Sequence, residues 1–174
     1  MKVKHWIIKI FLITLLLSAG ISLISEVFIA DMPIGAAIGV LLVIILVGIV
    51  FDVIGVAVST CDEAPIIAMC AKKIKKARYA LPLIKNADIV ANFCNDVVGD
   101  ICGIVSGSAG AAIAAKILLG AQDNYEMWVG IMVSALIAAL TVGGKAFGKK
   151  IAMKKNKEIV VALGSVLQFF SFKK

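Results

Sequence analysis

The sequence predicts an all-α polytopic membrane protein with four transmembrane helices, a cytosolic helical hairpin and a C-terminal juxtamembrane helix. Three observations predict it. Of 174 residues, 61% are hydrophobic and 17% charged, with a mean hydropathy of +1.05. Soluble domains have about 45–50% apolar and about 25% charged residues. The apolar residues are gathered into four long runs, and the Lys and Arg residues behind the net charge of +7 fall almost entirely outside them. The length is that of one domain. Disorder and collagen-like repeats are excluded by this composition. No nucleic-acid partner is expected, because a basic reader needs its charge on a water-facing surface with reading side chains between.

An apolar run of about 18 residues or more can cross a hydrocarbon core about 30 Å thick. The first run covers residues 6–30. Lys2 and Lys4 precede it, Lys9 lies near its start and Ser18-Ala19-Gly20 is small, as at a secretory signal, but the apolar character continues to Ile29. That is too long for a signal core, so it is read as a retained helix within an N-terminal segment 1–33. The second run covers 34–59, the third 91–119 and the fourth 127–142, ending at Gly143-Gly144. Residues 34–147 form a three-helix core that contains a hairpin at 61–88, and 148–174 form a basic amphipathic helix.

Charge placement orients the runs. Lys2, Lys4 and Lys9 lie before or at the start of the first; Lys72, Lys73, Lys75, Lys76, Arg78 and Lys85 separate the second and third; eight lysines follow the fourth. Only Lys116 lies near the opposite connectors. The positive-inside rule then puts both termini and the hairpin on the cytoplasmic side of a multi-pass protein of the cytoplasmic (inner) membrane. The hairpin alternates apolar and cationic faces at helical spacing, as does 159–170, so both are expected to lie against anionic inner-leaflet lipid.

Cys61, Cys70, Cys94 and Cys102 make no metal-binding spacing and read as small apolar fillers. The informative residues are polar ones inside the runs, where an ionisable group costs roughly 2.5–3.5 kcal/mol and turns to protein or water. Asn92, Asp96 and Asp100 repeat every four residues and form one helical stripe, with Asn95 about 100° round from it. Gly99, Gly103 and Gly107 run alongside and permit close helix approach. The second run supplies a facing strip of Asp52, Gly55, Ser59 and Glu63, with Thr60 beside it. Ser18, Ser22, Ser25, Glu26, Ser134 and Thr141 read as helix glue or interfacial polar residues. Carboxylates, amides and hydroxyls are hard donors that suit a divalent cation, and Mg²⁺ above all, because it keeps several of its waters. No enzyme is expected: the sequence has no Gly-x-Ser-x-Gly, P-loop or Gly-x-Gly-x-x-Gly motif, and His5 is terminal. Asp52 with Asp96 or Asp100 lacks the glycine-flanked motif of an intramembrane aspartyl protease.

Three stretches resemble a known family. Val58-Ser59-Thr60-Cys61-Asp62-Glu63-Ala64 resembles the Phe-Ser-Gly-Ser-Glu-Thr-Ala signature of the CNNM/CorC magnesium-transporter transmembrane domain. The segment from Asn92 to Ile101 is similar to that family's Ile-Gly-Asn-x-x-Val-Asn-Ile. Gly144-Lys145-Ala146-Phe147, followed by Asn156-Lys157-Glu158-Ile159-Val160, looks like its Pro-Lys-Ala-x…Asn-Pro-Glu-x-Val stretch. The resemblance implies a homodimer with an Mg²⁺ site among its core helices, and carries over by position to Ser59 or Thr60, Glu63 and Asn95. Leu140-Thr141 stands where the family has Gly-Glu, and no CBS domain is expected in this chain.

The expected function is therefore transport of a divalent cation, Mg²⁺, through a site drawn from Asn92, Asn95, Asp96, Asp100, Asp52, Ser59, Thr60 and Glu63. The alternative is a non-transporting membrane subunit or scaffold whose basic hairpin binds a partner or anionic lipid.

Overall fold

The computed structural model describes the backbone of residues 2–118 and 126–171, and side chains in those ranges except at 2–7, 9, 10, 25, 26, 29, 30, 126, 127 and 171. Ser25 and Glu26, polar residues of the first run, therefore lie outside the described side chains. The described chain is helical, without strands: α1 Lys2–Asp31, α2 Ile34–Thr60, α3 Glu63–Ala71, α4 Lys75–Lys85, α5 Ala87–Asn92, a π-helical turn Phe93–Val98, α6 Gly99–Leu118, α7 Glu126–Lys154 and α8 Asn156–Ser171.

Three helices are long and apolar enough to cross a membrane: Ile34–Thr60, the continuous α5–π–α6 rod Ala87–Leu118, and Trp128–Lys154. An 18-residue stretch of each reaches a mean hydropathy of 3.1, 1.7 and 1.8. At 1.5 Å per residue a 27-residue helix extends about 40 Å, more than the hydrocarbon thickness. The first helix is 30 residues long, but its described apolar stretch, Phe11–Ile24, is shorter than a span by the same measure.

Two boundaries differ from the sequence expectation. The fourth apolar run was expected to stop at Gly143-Gly144, yet α7 continues to Lys154. Glycine costs a helix up to about 1 kcal/mol relative to alanine. Where water is scarce, however, each backbone group lacks any partner but the helix, and glycine is tolerated. The break falls at Lys155. There the Asn156 side chain accepts a hydrogen bond from the Lys157 amide at 2.7 Å and donates to the Thr60 carbonyl at 2.7 Å, tying the start of α8 to the end of α2. The third run, expected from residue 91, starts four residues earlier and contains a π turn.

The chain divides into two compact units, residues 1–48 with 100–144, and residues 49–99 with 145–174. In the first, Ala37, Leu41 and Ile45 of α2, Val105, Ala109 and Ile113 of α6, and Ile137 of α7 are buried. The Ile137 Cδ1 atom takes the space a side chain at Gly110 would fill. Ser106 and Ser108 donate back to the carbonyls of Gly103 and Val105, so these polar groups need no outside partner. Lys116, the lysine that charge placement left on the opposite side, donates to the Met32 carbonyl in the α1–α2 connection. The outer faces carry exposed Leu42, Val43, Leu46, Met132 and Leu136. An apolar surface of this extent is a membrane or protein contact.

In the second unit, Ala57, Val58 and Cys61 at the end of α2, Ile66 of α3, Ala77, Ala80 and Ile84 of α4, Ala152 of α7 and Val160 of α8 form one core. Small residues set its spacing. Gly164 of α8 lies directly on the Lys76 carbonyl and within 3.1 Å of Ala80, measured from where a Cβ would stand. The apolar face of α4 is thus covered by protein rather than laid on the leaflet. Between α3 and α4, Lys73 takes φ 58°, and its amide and that of Ile74 bond to the carbonyls of Cys70 and Met69. These are the two bonds of a Schellman turn, with lysine where glycine is usual.

Candidate intramembrane polar site

Asp52 is the one buried carboxylate among the described residues, with 3% of its surface exposed. Its position on α2 explains its surroundings. At 100° per residue, Gly55 lies on one side of it and Ile49 and Val53 on the other. Gly148 of α7 packs on Ile49 and Val53, and Asn95 of the π turn packs on Gly55 so tightly that a Cβ there would overlap its side chain. Asp52 therefore points into the seam between the other two long helices.

The charges and dipoles in that seam are only partly matched. Asp52 Oδ2 lies 3.8 Å from Lys149 Nζ, one turn above the end of α7. That separation is an ion pair and not a hydrogen bond, and the Lys149 side chain is 49% exposed. Both Asp52 Oδ2 and Asn95 Oδ1 are buried and accept no hydrogen bond. An unsatisfied buried acceptor costs about 1–3 kcal/mol, so two of them within one helical turn of α2 mark a place where a donor or cation would be favoured. Lys145, one turn before Lys149, brings its ammonium to 3.4 Å from where a side chain would start at Gly99. The π turn aims Asn95 at α2: its i→i+5 bonding widens one turn of the rod, and such turns concentrate at functional sites.

The other expected site residues stand elsewhere. Asn92, Asp96 and Asp100 are exposed on the outer face of the rod. Ser59 and Thr60 are exposed at the end of α2, and both hydroxyls donate to the Val56 carbonyl, at 3.1 and 2.7 Å. Glu63 is exposed in the first turn of α3, where its charge complements the helix dipole. Among the described residues no three His, Cys, Asp or Glu side chains converge as metal ligands. Cys61 is packed in the second unit's core; burial and neighbouring Asp62 push its thiol above the ordinary range, with Lys157 opposing, so it stays a protonated filler at neutral pH.

Sequence reasoning grouped Lys149 with the topology lysines and missed its part in the site. Nothing local distinguishes it from Lys150. Its partner is 97 positions away, and only the packing of α7 on α2 brings them together.

No family model, curated protein or solved structure matches the chain.

Proposed function

We propose that this chain is a multi-pass protein of the cytoplasmic membrane that moves a divalent cation, Mg²⁺, past Asp52 and Asn95, with both termini cytoplasmic, four membrane-crossing helices, and a second copy completing a homodimer. The observation that carries the reading is Asp52: an acid inside an apolar span with an oxygen that accepts no hydrogen bond. Mg²⁺ favours such a place, since it takes one or two carboxylates and keeps its remaining waters. Asn95 Oδ1 supplies a second hard oxygen one turn along. Lys149 is the resident counter-charge; it is long, half exposed and not hydrogen-bonded to Asp52, so an entering cation displaces it without breaking a strong contact. The choice of Mg²⁺ over other hard cations leans on the short CNNM/CorC-like stretches around Ser59–Glu63 and Asn95. The exposed stripe of Asn92, Asp96 and Asp100 supports the dimer, because intramembrane polar residues face protein or water and not lipid.

The second reading, a non-transporting membrane subunit, is favoured by the same ion pair. Lys149 already neutralises Asp52, so the buried charge is compensated without an ion. Proteoliposome uptake separates the two. The transport reading expects Mg²⁺ flux that Asp52→Asn reduces at least tenfold and that Asp96→Asn and Asp100→Asn also reduce. It further expects Mg²⁺ to raise the thermal stability of the detergent-solubilised protein. An absence of both flux and stabilisation in the unsubstituted protein overturns it in favour of the subunit.

A further inference from the structure

We infer that the groove between α3, α4 and α8 binds one anionic phospholipid, its phosphate held between Lys76 and Lys157. The groove is open to the surface and offers about 530 Å³. Its chemistry is divided as a lipid's is. Met69, Val161 and Ala162 give it an apolar wall, and Lys76 and Lys157, in the first turns of α4 and α8, give it two ammonium groups. Ser165 closes the far end and spends its hydroxyl proton on the Val161 carbonyl at 3.0 Å. The one acid in the lining, Glu158, is exposed and pairs with Lys155 at 3.9 Å, and the two lysines outnumber it.

Position selects a lipid over a soluble anion. The groove starts beside Asn156, which is bonded to the last carbonyl of α2, and follows directly on α7; both are among the helices long and apolar enough to cross a membrane. At its other end α8 exposes Val166, Leu167, Phe169 and Phe170, with Phe169 73% accessible. An amphipathic helix of this kind settles at the headgroup–acyl boundary, where anionic lipid is drawn to lysine clusters. The inference is independent of the cation reading.

The test counts lipids retained by the full chain in detergent, by native mass spectrometry, during titration with phosphatidylglycerol or phosphatidylcholine. One phosphatidylglycerol per chain is expected, with phosphatidylcholine at least tenfold weaker. Lys76→Gln/Lys157→Gln should weaken phosphatidylglycerol at least tenfold. Lys85→Gln/Lys150→Gln removes the same charge and should change it less than twofold. Ala162→Trp, which fills the groove and keeps both lysines, should also abolish retention, with helix content by circular dichroism confirming a folded chain. Equal weakening by the two lysine pairs overturns the inference in favour of diffuse attraction. Equal binding of phosphatidylcholine, or displacement of the lipid by millimolar inorganic phosphate, overturns it as well.

Discussion

The two units of this molecule solve opposite solvation problems with the same element. In residues 1–48 with 100–144, large aliphatic side chains such as Leu42, Leu46 and Met132 point outward, and the buried positions are only those where helices touch. Ser106 and Ser108 there are satisfied within their own helix, whereas the buried Ser22 hydroxyl has no partner. In residues 49–99 with 145–174, the core is built from Ala57, Ala77, Ala80 and Ala152 around Ile66 and Val160, and most of the chain's basic residues belong to this unit. That unit also holds Asp52. The difference shows where specificity resides. Lipid accepts many aliphatic side chains at an outward position, whereas backbones that meet over alanine and glycine accept few replacements.

The largest expected effect breaks the second unit without touching the first. Gly164→Val should destabilise by about 3 kcal/mol, because the new side chain would meet the Lys76 backbone carbonyl, which has no room to move. Gly103→Ala, whose Cβ would enter open space inside α6, should cost nothing and stabilise by up to about 1 kcal/mol. Thermal unfolding in detergent, followed by circular dichroism, compares them directly; equal losses would remove the contrast between the units.

An intermediate effect tests the ion pair. Lys149→Met should cost about 2 kcal/mol, since it leaves the Asp52 carboxylate buried without a counter-charge. Adding Asp52→Asn should return most of that loss, and a double-mutant cycle measures the coupling. Additive losses would mean that Lys149 stabilises through its aliphatic stem alone.

The smallest effect sharpens the picture of the hairpin. Lys73 holds a left-handed conformation that costs a side-chain-bearing residue roughly 1–2 kcal/mol. Lys73→Gly should therefore stabilise the second unit by about 1 kcal/mol, read as a raised midpoint of thermal unfolding. A lowered midpoint would show that the lysine side chain contributes more than the backbone strain removes.

Much of the architecture was legible because it is written locally. The apolar run over residues 34–59 became α2, and the basic segment 61–88 became α3 and α4, since hydrophobic length and helical spacing need no distant partner. Gly143-Gly144 misled because glycine is weighed as a helix breaker, while α7 continues through both glycines to Lys154. The stripe of Asn92, Asp96 and Asp100 was legible as a periodicity. Its orientation was not, because the π turn at Phe93–Val98 shifts the rod's register and turns Asn95 toward Gly55.

By itself the sequence determined that the chain is helical with helices long and apolar enough to cross a membrane, where those helices run, and that Asp52 sits within one of them, because those properties sum over neighbouring residues. Only the tertiary structure decided that Asp52 faces Lys149, that Asn95 rests on Gly55, and that α8 covers the apolar face of α4. Each of those depends on which helix side meets which. That choice is made where a distant part of the chain closes on a bare glycine: the Asn95 side chain on Gly55, the Val53 and Ile49 side chains on Gly148, and the Lys76 backbone on Gly164.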